Sequence, residues 1–201
     1  MCRMAEHDGS TGCRKFDHLI AVTSRHLCQR AFPEQLERIC RHHPKAVILR
    51  EKDLMEDDYL FFAKDALTIC REHGVRCVLH TFTKAALQLE HPYLHLPLAA
   101  LQKEGGKPDG IKILGSSIHS VSEAQEAQRL GADYLTAGHI YATDCKAGVP
   151  PRGLDFLEEV CRSVQIPVYG IGGVRIESGQ LDEMMARGAA GACVMSGMMR
   201  L

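Results

Sequence analysis

The 201-residue sequence carries almost no net charge: 24 lysines and arginines stand against 25 aspartates and glutamates, a formal balance of −1. No global field therefore favours nucleic acid or an anionic membrane surface, and no helix-turn-helix pattern stands out. No apolar run approaches the roughly 18 residues that cross a bilayer as a helix. The opening stretch MCRMAEHDGSTGCRKF has no apolar segment of the kind a secretory signal needs. Residues 1–16 read as a polar extension ahead of a single domain over 17–201. Nine cysteines are present, an odd number, with no C-x-x-C pair. Cys70, Cys77, Cys161 and Cys193 fall inside apolar patterns, where a free thiol packs as a small hydrophobe. Cys40 with His42 and His43 makes only a loose cluster. Neither a disulfide framework nor a zinc site is expected, and a reducing, cytoplasmic setting is.

What the sequence does have is alternation. Short apolar runs recur: His18-LIAVTS, Ala46-VILR, Arg76-CVLH, Tyr93-LHLP, Ile111-KILGSS, Tyr134-LTAGHI, Pro167-VYGIGG and Ala192-CVMSG. Between them lie seven helical patterns, near 33–42, 58–73, 83–89, a short one through Leu101, 122–131, 154–163 and 178–187. Ser122 reads as an N-cap and Gly131 as a C-terminal stop. Strictly alternating strands and helices imply a parallel sheet. Eight units in so short a chain imply a compact, single-domain α/β fold, a (β/α)8 TIM barrel, with an open doubly wound sheet as the alternative. Only Met198-MRL follows Gly197, so the C-terminal helix is expected to be short or absent.

In such a barrel the residues that close each strand face the mouth. These are Ser24, Arg50 with Lys52, His80 with Thr81, Ser117 with His119, His139, Gly172-Gly173 and Ser196-Gly197. The pairing of Tyr169-GIGGV with Val194-MSGM, after the seventh and eighth strands, points to a phosphate cradle of backbone N–H groups. The plain alternative is a tight turn. Arg50 and Lys52 flank Glu51, and strand alternation sends both cations the same way, towards one anion. A solvated Arg-Glu-Lys edge accounts for the pattern equally well. Among His80, His95, His119 and His139, any could trade a proton near neutral pH.

LREKDL (49–54), LGSSIHSVSEAQEAQRLGADYLTAGHIYATDCKAG (114–148), IPVYGIGG (166–173) and GAAGACVMSG (188–197) together resemble the thiamine phosphate synthase superfamily. The resemblance runs in order from about Leu19 to Gly197 and implies a (β/α)8 barrel working in thiamine biosynthesis. The superfamily has two similar branches. The synthase joins a pyrimidine pyrophosphate to a thiazole phosphate and uses Mg²⁺ to hold the leaving pyrophosphate. Its Asn-Asp-Arg signature after strand three is replaced here by His80-Thr81-Phe82, and its Gly-Gln-x-Asp segment after strand four by Pro97-Leu98-Ala99-Ala100. Its Thr-x-Thr-Lys loop becomes Thr143-Asp144-Cys145-Lys146. Both metal-binding aspartates are missing, and Mg²⁺ prefers such oxygen ligands.

Gly138-His139, Thr143 to Lys146, Arg152-Gly153 and His119 resemble instead the thiazole tautomerase (TenI-like) branch. That resemblance implies a cofactor-independent isomerase with no metal, aromatising a thiazole phosphate carboxylate. His119 would be its general base. Gly172, Gly173, Ser196 and Gly197 would hold the phosphate, and Arg50, Lys52 or Lys146 the carboxylate. Ser117, His139 and Thr143 complete the substrate-binding set, and residues 138–148 would form a loop closing over the substrate. Cys145 is given no nucleophilic role. The expected partner is the small thiazole phosphate, with neither nucleic acid nor membrane, and the resemblance implies possible homo-oligomers. The competing expectations are a Mg²⁺-dependent thiamine phosphate synthase and a non-catalytic ligand-binding or regulatory barrel.

Overall fold

The computed structural model describes residues 15–143 and 148–201. Eight parallel strands close on themselves in sequence order: β1 (Leu19–Val22), β2 (Ala46–Leu49), β3 (Cys77–His80), β4 (Tyr93–Pro97), β5 (Ile113–Ile118), β6 (Tyr134–Gly138), β7 (Val168–Ile171) and β8 (Gly191–Val194). β8 pairs back onto β1 through Leu19 with Ala192 and Ala21 with Val194, which closes the barrel and leaves no edge. The helices are α1 (Phe32–Arg41), α2 (Glu56–Glu72), α3 (Thr83–Gln88), α4 (Leu98–Glu104), α5 (Val121–Arg129), α6 (Gly153–Ser163) and α7 (Gln180–Ala186). After β8 the chain makes only a 3₁₀ turn, Met198–Arg200, so the expected weakness of the eighth helix is what the structure has. Helix α5 departs from expectation in its cap. Ser120, not Ser122, accepts the N–H of Glu123, at 3.1 Å, because the strand ends at Ile118 and the turn into the helix is immediate.

Side chains alternate strictly along each strand, and the two sets serve different cores. Leu19, Ala21, Val47, Leu49, Leu79, Leu94, Leu114 and Leu135 face outward and pack against the helices. Ile20, Val22, Ala46, Ile48, Val78, Tyr134, Tyr169 and Cys193 face inward and fill the lumen. The lumen is thus a packed interior rather than a pore. Gly115 on β5 makes its largest occupants possible. A Cβ there would lie 2.2 Å from the Tyr134 ring and 2.4 Å from Nδ1 of His95, so only glycine lets these two rings meet across the barrel.

Candidate active site

The inward register of each strand, carried to its C-terminal end, decides which polar groups reach the mouth. On β3 and β4 it delivers His80 and His95, whose rings stack with centroids 5.4 Å apart and planes 15° apart. Both are buried. Together with Val22, Ile48, Ser117, Thr136 and Ile171 they line a cavity of about 20 Å³ at the floor of the mouth, room for one water. Thr136 donates to Ser117 Oγ at 3.1 Å, and Ser117 Oγ meets Nε2 of His95 at 2.7 Å. A hydroxyl that accepts from Thr136 has its own hydrogen for the imidazole, which places the His95 hydrogen on Nδ1, towards Tyr134 Oη at 3.1 Å. Burial lowers the pKa of His95 to about 3, with the charge of Lys52 adding to the effect. Burial lowers that of His80 as well, followed by the influence of His95, Arg50 and Lys52. Both imidazoles are neutral at physiological pH.

Tyr59, on α2, fixes the ends of β2 and β3 together. Its hydroxyl donates to the carbonyl of Leu49 at 2.7 Å and accepts the N–H of His80 at 2.9 Å. Arg50 follows directly. Its backbone N–H donates to Thr23 Oγ1 at 2.9 Å, and Thr23 donates in turn to Glu51 at 2.7 Å. Glu51 is only 2% exposed, although Lys52 and Asp53 after it are exposed. The Glu51 carboxylate accepts the backbone N–H of Arg25, at 3.1 and 3.0 Å, and its guanidinium at 3.2 Å. Arg25 also grips Asp53, with Nη1 at 2.7 Å, and His26 meets the same carboxylate at 2.9 Å. The Arg25 guanidinium, with His26, holds Asp53 far below the usual carboxylate range. Glu51 is taken up by Thr23 and Arg25, and Arg50 and Lys52 flank it just beyond β2. There their charges reach His80, and that of Lys52 reaches His95. Sequence reasoning missed this clamp, because a Glu between Arg and Lys looks like solvent-facing surface.

His119 is exposed just beyond β5. Its Nδ1 lies 2.7 Å from the carbonyl oxygen of Gly138, which can only accept, so the ring donates from Nδ1 and leaves Nε2 facing other partners. Glu123 on α5 accepts the His119 backbone N–H. The imidazole therefore stands at the β5–β6 rim, beside the segment that leads to the glycine turn.

That turn owes its glycines first to packing. Gly172 and Gly173 have φ of +98° and +71°, a region open to glycine and strained for other residues. A Cβ on Gly172 would sit 2.3 Å from Cβ of His139, and one on Gly173 2.4 Å from the carbonyl oxygen of Ala142. The chain after β6 runs alongside, Ile140 donating to Ile171 at 2.9 Å and Tyr141 to Gly172 at 3.0 Å. His139 is buried against this turn, with Nε2 3.2 Å from the carbonyl of Val149. Ser196 and Gly197 are half-buried after β8, and Thr143 is half-buried at the limit of the described loop. Lys146, Asp144 and Cys145 lie outside the described residues, as does the middle of the expected closing loop.

The divalent cation of the synthase branch does not fit what stands here. The ends of β3 and β4 offer imidazoles and a threonine rather than carboxylates. The acids of the neighbouring rim, Glu51 and Asp53, are both engaged by Arg25. Among the described residues no group of three or more His, Cys, Asp or Glu is placed to hold a metal ion.

Comparison with known proteins places these features in context. Residues 19–198 match the family model described as thiamine monophosphate synthase. A thiamine-phosphate synthase of Syntrophomonas wolfei is 34% identical over 188 residues, 90% of this chain and 88% of that protein. Thiamine-phosphate synthase 2 of Streptococcus pneumoniae is 33% identical over a similar span, 90% of this chain and 87% of that protein. The solved thiamine phosphate pyrophosphorylase of Pyrococcus furiosus superposes with a TM-score of 0.75 at 26% identity, covering 92% of this chain and 88% of that one. These names overturn the isomerase expectation. The departures at residues 80–82, 97–100 and 143–146, with the likeness at Gly138-His139, Arg152-Gly153 and His119, pointed to the tautomerase branch, but relatives that are similar along nine-tenths of the chain are named as synthases. The weight placed on short segments was too great.

Proposed function

The chain belongs to the thiamine monophosphate synthase family, and from that premise we propose that it is a transferase of the thiamine-phosphate synthase class, joining a pyrimidine pyrophosphate to a thiazole phosphate. The observation that carries this reading is the 34% identity to a protein of that name along 90% of the chain. Two stretches of the rim support it. Arg50 and Lys52, which flank the buried Glu51, suit the more highly charged pyrophosphate. The glycine turn at Gly172-Gly173, with Ser196 and Gly197 beside it, suits the thiazole phosphate. Thr143 follows β6, close in sequence to the chain that runs beside the glycine turn.

The chemistry asks for positioning more than for acid or base. The carbon–oxygen bond to pyrophosphate breaks, its electron pair leaving on the pyrophosphate oxygen. A carbon–nitrogen bond forms from the thiazole ring nitrogen to the same methylene carbon. No proton changes hands, so His119 is assigned to orienting a substrate ring through Nε2, with Ser117 and His139 supporting the walls. Two reactants held at opposite sides of one mouth gain the advantage of an effectively intramolecular encounter.

The test is direct. Incubated with both substrates and Mg²⁺, the protein should release pyrophosphate and form thiamine phosphate, measured by chromatography. Absence of product above the protein-free blank would overturn the assignment.

A further inference from the structure

Among the described residues, Thr81 is one of three non-glycine residues with a positive φ. Its φ is +72°, a region that β-branched residues rarely enter. Such outliers persist only where the surroundings hold them, and they gather at functional sites. The Thr81 carbonyl accepts the N–H of Thr83 at 3.1 Å, and two further bonds hold the residue. The Thr81 N–H donates to the carbonyl of His95 at 2.9 Å, and Thr81 Oγ1 lies 2.6 Å from Nδ1 of the His80 ring. With the hydroxyl as donor, the His80 hydrogen sits on Nε2, and His80 lines the cavity at the floor of the mouth. The stacked ring of His95 supports it from the far side. The result is a neutral N–H, fixed in direction, that feels the charges of Arg50 and Lys52; among the described residues no group of side chains is placed to hold a metal ion.

We propose that this mouth holds the phosphoryl anion of its substrate without a divalent cation, the Thr81-held His80 donating Nε2–H to the anion alongside Arg50 and Lys52. The proposal rests on the transferase reading for the identity of the anion, taken as pyrophosphate. It contradicts the expectation that this class needs Mg²⁺ there. His80 then contacts substrate, and Thr81 is a positioning residue acting through it. A neutral imidazole suits the task. It adds a donor without lowering the charge of Arg50 or Lys52 through repulsion, and burial prevents its protonation at ordinary pH.

Inorganic pyrophosphate is the probe, titrated calorimetrically into the full chain, once with EDTA and once with Mg²⁺. Affinity should change by less than about threefold between the two, whereas loss of one charge-assisted donor in His80→Leu should weaken binding roughly ten- to hundredfold in EDTA. Thr81→Val keeps the shape but removes the hydroxyl and should weaken binding, and Thr81→Ser should restore it. Nitrogen NMR of the His80 ring should report the Nε2–H tautomer in wild type and Thr81→Ser, and its loss in Thr81→Val. These readouts separate positioning from mere folding. Binding that appears only with Mg²⁺, or a folded Thr81→Val that binds and keeps its tautomer like wild type, overturns the proposal. Pyrophosphate bound in EDTA while no thiamine phosphate forms defeats the transferase reading and leaves the metal-free site standing. Product formed with Mg²⁺ but no binding in EDTA does the reverse.

Discussion

The rim after β1 and β2 and the rim after β6 and β7 have the same task, holding a loop above the barrel mouth, and they do it by different means. The first is built from side chains: Thr23, Arg25, Glu51 and Asp53 form one connected set of ion pairs and hydrogen bonds. The second is built from backbone: Ile140 and Tyr141 extend the β6 pairing onto Ile171 and Gly172, and glycines let the two chains touch. The first construction uses charge, with Arg25 shared between the Glu51 and Asp53 carboxylates. The second uses none, and presents peptide groups instead.

The backbone-built rim should be the less forgiving. In Gly173→Ala the new Cβ must displace main-chain atoms of Tyr141 and Ala142 at 2.4 to 2.7 Å, and no flexible side chain is there to give way. A left-handed conformation adds to the penalty, and we expect roughly 3–4 kcal/mol of lost stability, with the rim distorted enough to abolish thiazole phosphate binding. Urea unfolding and calorimetry check both. The side-chain rim should yield in steps. Glu51→Ala removes the shared acceptor of Thr23 and Arg25 and leaves buried donors unpaired, for a loss of about 3 kcal/mol. Asp53→Asn, at an exposed carboxylate, should barely move the urea midpoint. If the two acid substitutions have equal effects, Glu51 is not the keystone of that rim.

This contrast also explains what could be read from the sequence. The strands were legible because apolar runs such as Ala46-VIL and Tyr134-LTAG carry a two-residue period into two different cores. The same period led to the expectation that Arg50 and Lys52 share one side. Glu51 was illegible, since its burial depends on Thr23 and Arg25, some 26 to 28 positions away. Thr81 was illegible because nothing in His80-Thr81-Phe82 announces a left-handed threonine. Gly172-Gly173 was noticed as a phosphate cradle, while its closest contacts are with His139 and Ala142. The branch of the family was misjudged because losing two metal ligands is conspicuous in a motif, whereas similarity spread along 188 residues is invisible in any short stretch.

Between the two rims, at β4, lies His95, and its burial predicts how the barrel answers acid. The folded-state pKa is lowered to about 3, against roughly 6.5 in an unfolded chain. Below that upper value the unfolded chain binds a proton the folded barrel refuses, so the stability is complete above about pH 6.5 and drains away as pH falls towards 3. At about 1.4 kcal/mol per unit, the barrel should be about 2 kcal/mol less stable at pH 5 than at pH 7 on account of His95 alone. Asp53 belongs to a lower window. Arg25 and His26 hold its pKa down, so its share is lost only below the unfolded carboxylate value of roughly 3.9. Urea midpoints of wild type and His95→Gln at pH 7, 6 and 5 separate the two, the variant losing less over that range. Parallel curves would mean that the imidazole takes up its proton inside the folded barrel, and the lumen would then have to admit water to the Ser117–Thr136 chain.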